Sequence, residues 1–120
     1  MFVGVLRVSL SIVGARSLKD KRSVVRSFKE RVQTRLKVSI AEISGLDDPR
    51  RATLGIAVVS NDAGVCDHVL ADVAAMANTL PDAILTDRAT EIVAFGEGGS
   101  SIAGGLEQLG SNDDDEENGE

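Results

Sequence analysis

A two-layer α+β sandwich, with one antiparallel sheet covered on one face by two helices, is the fold class this chain predicts. Three observations carry the prediction. Stretches of period-2 hydrophobic alternation and stretches of 3/4 helical spacing follow one another in the order β, α, β, β, α, β. The connections between them are short and rich in Gly, Asn, Asp and Pro. With 120 residues and a single cysteine, the chain is long enough for one hydrophobic core and has no internal disulfide to support it.

The first strand is read over residues 2–13, where Phe2, Leu6, Val8, Leu10 and Ile12 share one face and Arg7, Ser9 and Ser11 the other. Val3 and Val5 break the polar side, so the second face is apolar at that end. Gly14 ends the strand. Ser17 and Asp20 have capping-box spacing, with Asp in place of the usual Glu, and open the first helix. Val38 to Ser44 and Ala52 to Ser60 are two strands joined by the turn cluster GLDDPRR, a β-hairpin. Asn61 and Asp62 cap a second helix, on which Cys66, Val69, Val73, Ala77 and Leu80 keep helical spacing until Pro81. Ile84 to Phe95 is the last strand, with an interruption near Asp87. The order of elements is that of two split βαβ units, the ferredoxin-like sandwich. Residues 1–96 form the domain, and residues 97–120 a Gly/Ser-rich linker and an acidic tail with too little apolar surface to order themselves.

Charge is segregated along this chain. Residues 1–37 hold ten Lys/Arg and two Asp/Glu, a net +8, whereas residues 107–120 hold seven acids and no base. The overall net charge of −6 therefore does not argue against an anionic partner. Ser17 to Lys37 alone carries eight of the thirteen basic residues. On a helix of about 100° per residue, Val25, Phe28, Val32 and Leu36 form a core-facing stripe, extended by Leu18. Lys19, Arg22, Arg26, Lys29, Gln33 and Lys37 form a second stripe beside it. Glu30 is spaced for a weak i,i+4 pair with Arg26. Ordinary surfaces mix both signs and this stripe does not, so it is a candidate contact for a phosphate backbone. The acidic tail is a candidate for folding back onto it.

Other chemistry is weakly indicated. RNA-recognition motifs share this order of elements but stack bases on sheet aromatics. Here only Phe2, Phe28 and Phe95 exist, and the first two have core parity. Cys66 lies on the apolar stripe of the second helix, as a buried inert thiol. His68 points away from it and is spaced to meet Asp72. No nucleophile-base set, zinc-ligand set or cofactor motif is recognised: GEGGSSIAGG lacks the Lys of a P-loop and a following helix. No apolar run approaches the ~20 residues of a membrane span, and MFVGVLRVSL reads as a strand and not a signal peptide. The expectation is a soluble, reduced, cytoplasmic protein without enzymatic activity.

MFVGVLRVSLSIVGARSLKDKRSVVRS, followed by VSIAEI and ATLGIAVVSND, resembles the YlxP-like family of small bacterial proteins, a domain of unknown function. The resemblance covers residues 1–96 and is specific in SLKDKR, similar to the family's SLKEKR with Asp20 where Glu is common. It implies a ferredoxin-like fold and a gene neighbourhood among translation and ribosome-maturation factors, and it implies a ribosome-binding or ribosome-assembly role without an established activity. It brings no catalytic residues.

Two function classes stay open. One is a binding module for structured RNA, ribosomal by expectation, using Lys19, Lys21, Arg22, Arg26 and Lys29 with Arg7 and Arg16 as flanking contacts. The other is a homodimeric interaction or regulatory domain whose basic helix meets an acidic protein or a small anionic ligand. Val3, Val5, Ala57 and Val59 offer an apolar patch on the open sheet face for such assembly.

Overall fold

A computed structural model describes residues 1–96. The elements run β1 (Phe2–Ile12), α1 (Leu18–Arg35), β2 (Ser39–Ser44), β3 (Arg51–Ser60), α2 (Ala63–Asn78) and β4 (Ala83–Ala94). They form one antiparallel sheet of order β2-β3-β1-β4, in which β1 pairs with both β3 and β4. The ferredoxin-like prediction holds, and the element boundaries match to within a residue or two. The linker and acidic tail read over residues 97–120 lie outside the described residues.

Alternation in the strands builds the core. Leu6, Val8, Leu10 and Ile12 of β1, Ala52, Leu54, Ile56 and Val58 of β3 and Ile40 of β2 are all buried on the helix-bearing face. Val25, Phe28 and Val32 of α1 and Cys66, Leu70, Val73, Ala74 and Ala77 of α2 meet them there. Fully burying a side chain such as Phe28 is worth roughly 1.5–3 kcal/mol, so these faces fix which side of each strand points in.

Gly4 has the core parity of β1 and lets α2 come close. A Cβ built on it would lie 2.8 Å from Leu70 Cδ1, 3.1 Å from Cys66 Cβ and 3.2 Å from Val58 Cγ1. In β4 the interruption read near Asp87 is a register shift: Ser9 pairs with Asp87 but Leu10 pairs with Leu85. Thr86 is the extra residue, and its Oγ1 donates to the Ser9 carbonyl at 3.1 Å. Such a bulge restores inward parity to Leu85 and Ala83 beyond it.

Both helices start on side-chain caps. The Asp62 carboxylate accepts from the backbone N–H groups of Gly64 and Val65. The Ser17 hydroxyl accepts from Asp20 N–H at 3.1 Å. The return bond of a capping box would run from the N3 carboxylate to the cap's own N–H. Here Asp20 Oδ2 instead accepts from Arg16 N–H at 2.9 Å, one residue earlier, so SLKDKR fixes the approach of the chain as well as the helix start.

Candidate nucleic-acid interface

The basic helix is held to the sheet along Lys21, Val25, Phe28 and Val32, all buried. Its charged flank lies beside that line. Lys19, Arg22 and Arg26 are exposed, Lys29 is half-buried, and Gln33 and Lys37 continue the exposed row. Among the described residues no carboxylate comes within 4.0 Å of these cations; the ion pairs formed are Arg7–Asp87, Lys21–Glu42 and His68–Asp72. The expected Arg26–Glu30 pair is not formed. Arg31 and Arg35 lie on the other flank of the helix, Arg31 beside Leu80 and Asp82 and Arg35 beside Asp72 and Met76.

Two residues of the predicted set belong elsewhere. Lys21 is fully buried. Its Nζ donates to Glu42 Oε2 at 2.8 Å, to the Gly45 carbonyl at 2.8 Å, and to the Leu46 and Arg51 carbonyls at 3.2 Å each. An ammonium has three hydrogens, so two of the four acceptors share one, and no hydrogen is left for a phosphate. The correction has a simple cause: Lys21 stands at i−4 from Val25 and i−7 from Phe28, on the core stripe and not beside it. Glu42 has the inward parity of Ile40 on β2, and the two charges meet because each is placed facing the core.

Arg7 is the second correction. It has the outward parity of β1, on the sheet face opposite the helices, where its guanidinium lies 3.2 Å from Asp87 Oδ2. It cannot flank a stripe on α1. Arg16, by contrast, is exposed and directly precedes the α1 cap.

Sequence reading missed Arg50. The Lys21 ammonium gathers the carbonyls of the β2–β3 loop, in which Gly45 adopts φ +72° and the Asp48 carboxylate accepts from Arg50 N–H at 2.9 Å. The Arg50 carbonyl in turn accepts from Ile12 N–H at 2.8 Å. The loop thus brings an exposed arginine to the end of the molecule where β1 passes into α1. The signal was the turn cluster itself, but only the Lys21 contacts say where it docks.

The other residues singled out keep their expected surroundings. Cys66 is fully buried with Sγ 3.8 Å from the Phe2 carbonyl. His68 Nε2 lies 3.8 Å from Asp72 Oδ2 on the surface of α2. Phe2 packs against the core and Phe28 is buried within it, which leaves Phe95 alone and no aromatic platform on the open sheet face. Among the described residues no group of three His, Cys, Asp or Glu side chains is close enough to hold a metal ion, and no helix is long and apolar enough to cross a membrane.

Comparison with known proteins adds a family and a fold. Residues 3–90 match the family described as a protein of unknown function, DUF503. The chain is 35% identical over 89 residues to the uncharacterized protein YlxP of Bacillus subtilis (strain 168), covering 74% of this chain and 97% of that one. Among solved structures, a de novo designed protein with ferredoxin fold aligns with a TM-score of 0.52 at 18% identity, over 84% of this chain and 91% of that chain. At that identity the likeness speaks for the fold alone.

Proposed function

This chain belongs to the DUF503 family and is similar to B. subtilis YlxP, and from that premise we propose that it is a non-catalytic RNA-binding protein of the cytoplasm. Its α1 flank contacts the phosphate backbone of structured RNA, with ribosomal RNA the expected target and ribosome assembly or translation the expected setting. One observation carries the reading: Lys19, Arg22, Arg26 and Lys29 line one flank of a rigid helix with no carboxylate beside them among the described residues. From Lys19 to Lys29 the row spans ~15 Å, enough to neutralise several backbone charges at once. Arg16 and Arg50 extend it at the N-terminal end. The lack of a stacking platform favours contact with phosphates over reading of bases.

Co-sedimentation of the full chain with purified ribosomal subunits over a salt series tests this. Association that weakens steeply with salt, and that the Arg22→Glu/Arg26→Glu pair abolishes, is the expected result. Normal binding by that pair would sink the proposal. Capture that survives digestion of the RNA would transfer the flank to an acidic protein partner.

A further inference from the structure

We propose that the open face of the sheet is the contact surface for a second copy of this chain, giving a two-fold dimer with the sheets stacked and both basic helices outermost. This does not rest on the RNA reading, since the residues involved lie on the opposite layer from α1.

The helix-free face is apolar over the part formed by Val3, Val5, Ile43, Gly55, Ala57 and Val59, where a solvated sheet would be polar, and polar toward Ser9, Thr53 and Asp87. Val5, Ile43, Val59 and Ile84 all point outward from it and are between 42% and 62% exposed. They make up half of the eight large hydrophobic side chains exposed among the described residues. Ala41, Gly55, Ala57 and Ala89 keep the surface low between Val5 and Ile43, forming a shallow depression of about 440 Å³ that Arg7 and Glu91 also border. A small ligand there would be covered on one side only, unlike the enclosing pockets that bind small molecules. A second sheet would cover it fully.

Size and charge fit a second copy. Four strands about 4.8 Å apart and roughly 30 Å long present on the order of 600 Å² per copy, which reaches the ~1,200 Å² in total that specific interfaces bury. The charges on the face are self-complementary. Arg7 stands on β1 and Glu91 on β4, two residues out of register, because Val5 pairs with Glu91 and Arg7 with Ala89. A two-fold axis lying in the interface, across the strands and midway between Val5 and Arg7, exchanges the Val5 and Arg7 levels. It therefore brings Arg7 of each copy level with the partner's Glu91, one strand spacing aside and one sheet spacing across, roughly 11 Å between backbones, a gap that the two long side chains together span. Two symmetric ion pairs then flank a centre of Val5, Gly55, Ala57 and Ala89.

Sedimentation equilibrium of the full chain across the micromolar range is the test. The expected mass is twice the 12.6 kDa of one chain. Val5→Glu, at an exposed position, is expected to return the monomer with an unchanged circular dichroism spectrum. Glu91→Arg is expected to weaken the dimer at least tenfold, and adding Arg7→Glu to it to restore association in part, since Arg7→Glu also breaks the Arg7–Asp87 pair of each copy. A wild-type chain that stays monomeric at 100 μM, or a dimer indifferent to Val5→Glu and to the charge swap, would overturn the proposal.

Discussion

Lys21 Nζ lies 2.8 Å from Glu42 Oε2, with the lysine side chain fully buried and the glutamate side chain 15% exposed. This pair ties the first turn of α1 to β2, and through the Gly45, Leu46 and Arg51 carbonyls it also fixes the loop from β2 to β3. A lysine can sit in such a place only because every hydrogen of its ammonium is accepted. The second lysine of SLKDKR is thus a clamp inside the fold, while Lys19 and Arg22 on either side of it face solvent.

Removing one end of the clamp leaves the other charge stranded. Lys21→Ala is expected to destabilise the domain by about 3 kcal/mol, the lower end for a broken buried pair because Glu42 keeps some access to water. Replacing both ends, as Lys21→Met with Glu42→Leu, is expected to recover most of that loss, although the loop carbonyls still lose their donor. Urea unfolding of the wild type and the two variants measures this, and a double variant no more stable than Lys21→Ala would show that the carbonyls and not the carboxylate dominate.

The element order was legible because hydrophobic parity is a local property. Val25, Phe28 and Val32 announce the buried side of α1 without reference to anything else. The role of Lys21 was not legible in the same way, since a charged residue on a core stripe reads as an interruption until its partner is known. The clue was present in two places: Lys21 continues the 4, 3, 4 spacing of the stripe, and Glu42 interrupts the inward side of β2. Only the sheet topology, which lays β2 alongside β3 under α1, joins the two. Arg7 went astray for a related reason. Its charge drew it toward the other cations, whereas its strand parity had already put it on the far face.

The hydroxyl of Ser17 accepts from the first-turn N–H of Asp20 at 3.1 Å, and no other side chain among the described residues does. Ser17→Ala is expected to cost about 1 kcal/mol. For a domain of this size that corresponds to a fall in Tm of roughly 4–8 °C. Differential scanning calorimetry would register it, and an unchanged Tm would mean that the Asp20–Arg16 bond alone holds the helix start.

Gly4 is a packing requirement of the α2–β1 contact. In Gly4→Ala the new methyl must displace Leu70 and press on Cys66 and Val58, all of them buried. Overpacking of this kind is expected to cost about 1–3 kcal/mol. The Cys66 thiol supplies a local readout, because it is shielded in the native fold. Labelling of Cys66 by a thiol reagent is expected to be slow in the wild-type chain and faster in Gly4→Ala, as opening of α2 becomes easier. Equal labelling rates would place the strain elsewhere.

Lys19 and Lys21, two residues apart, separate binding from stability. Lys19 is exposed and without an ion-pair partner among the described residues, so Lys19→Ala is expected to leave stability within ~0.5 kcal/mol of wild type. If it contacts a phosphate, the same change weakens RNA association and lowers the slope of log affinity against log salt by about 1. Lys21→Met has the opposite signature: a loss of stability with the salt slope retained, provided binding is measured where the variant is folded. Any weakening it causes is expected to be independent of salt, because it acts through the placement of the 45–51 loop and not through a lost phosphate contact. A salt slope lowered by Lys21→Met and untouched by Lys19→Ala would reverse the division of labour within SLKDKR and remove α1's outward flank from the binding surface.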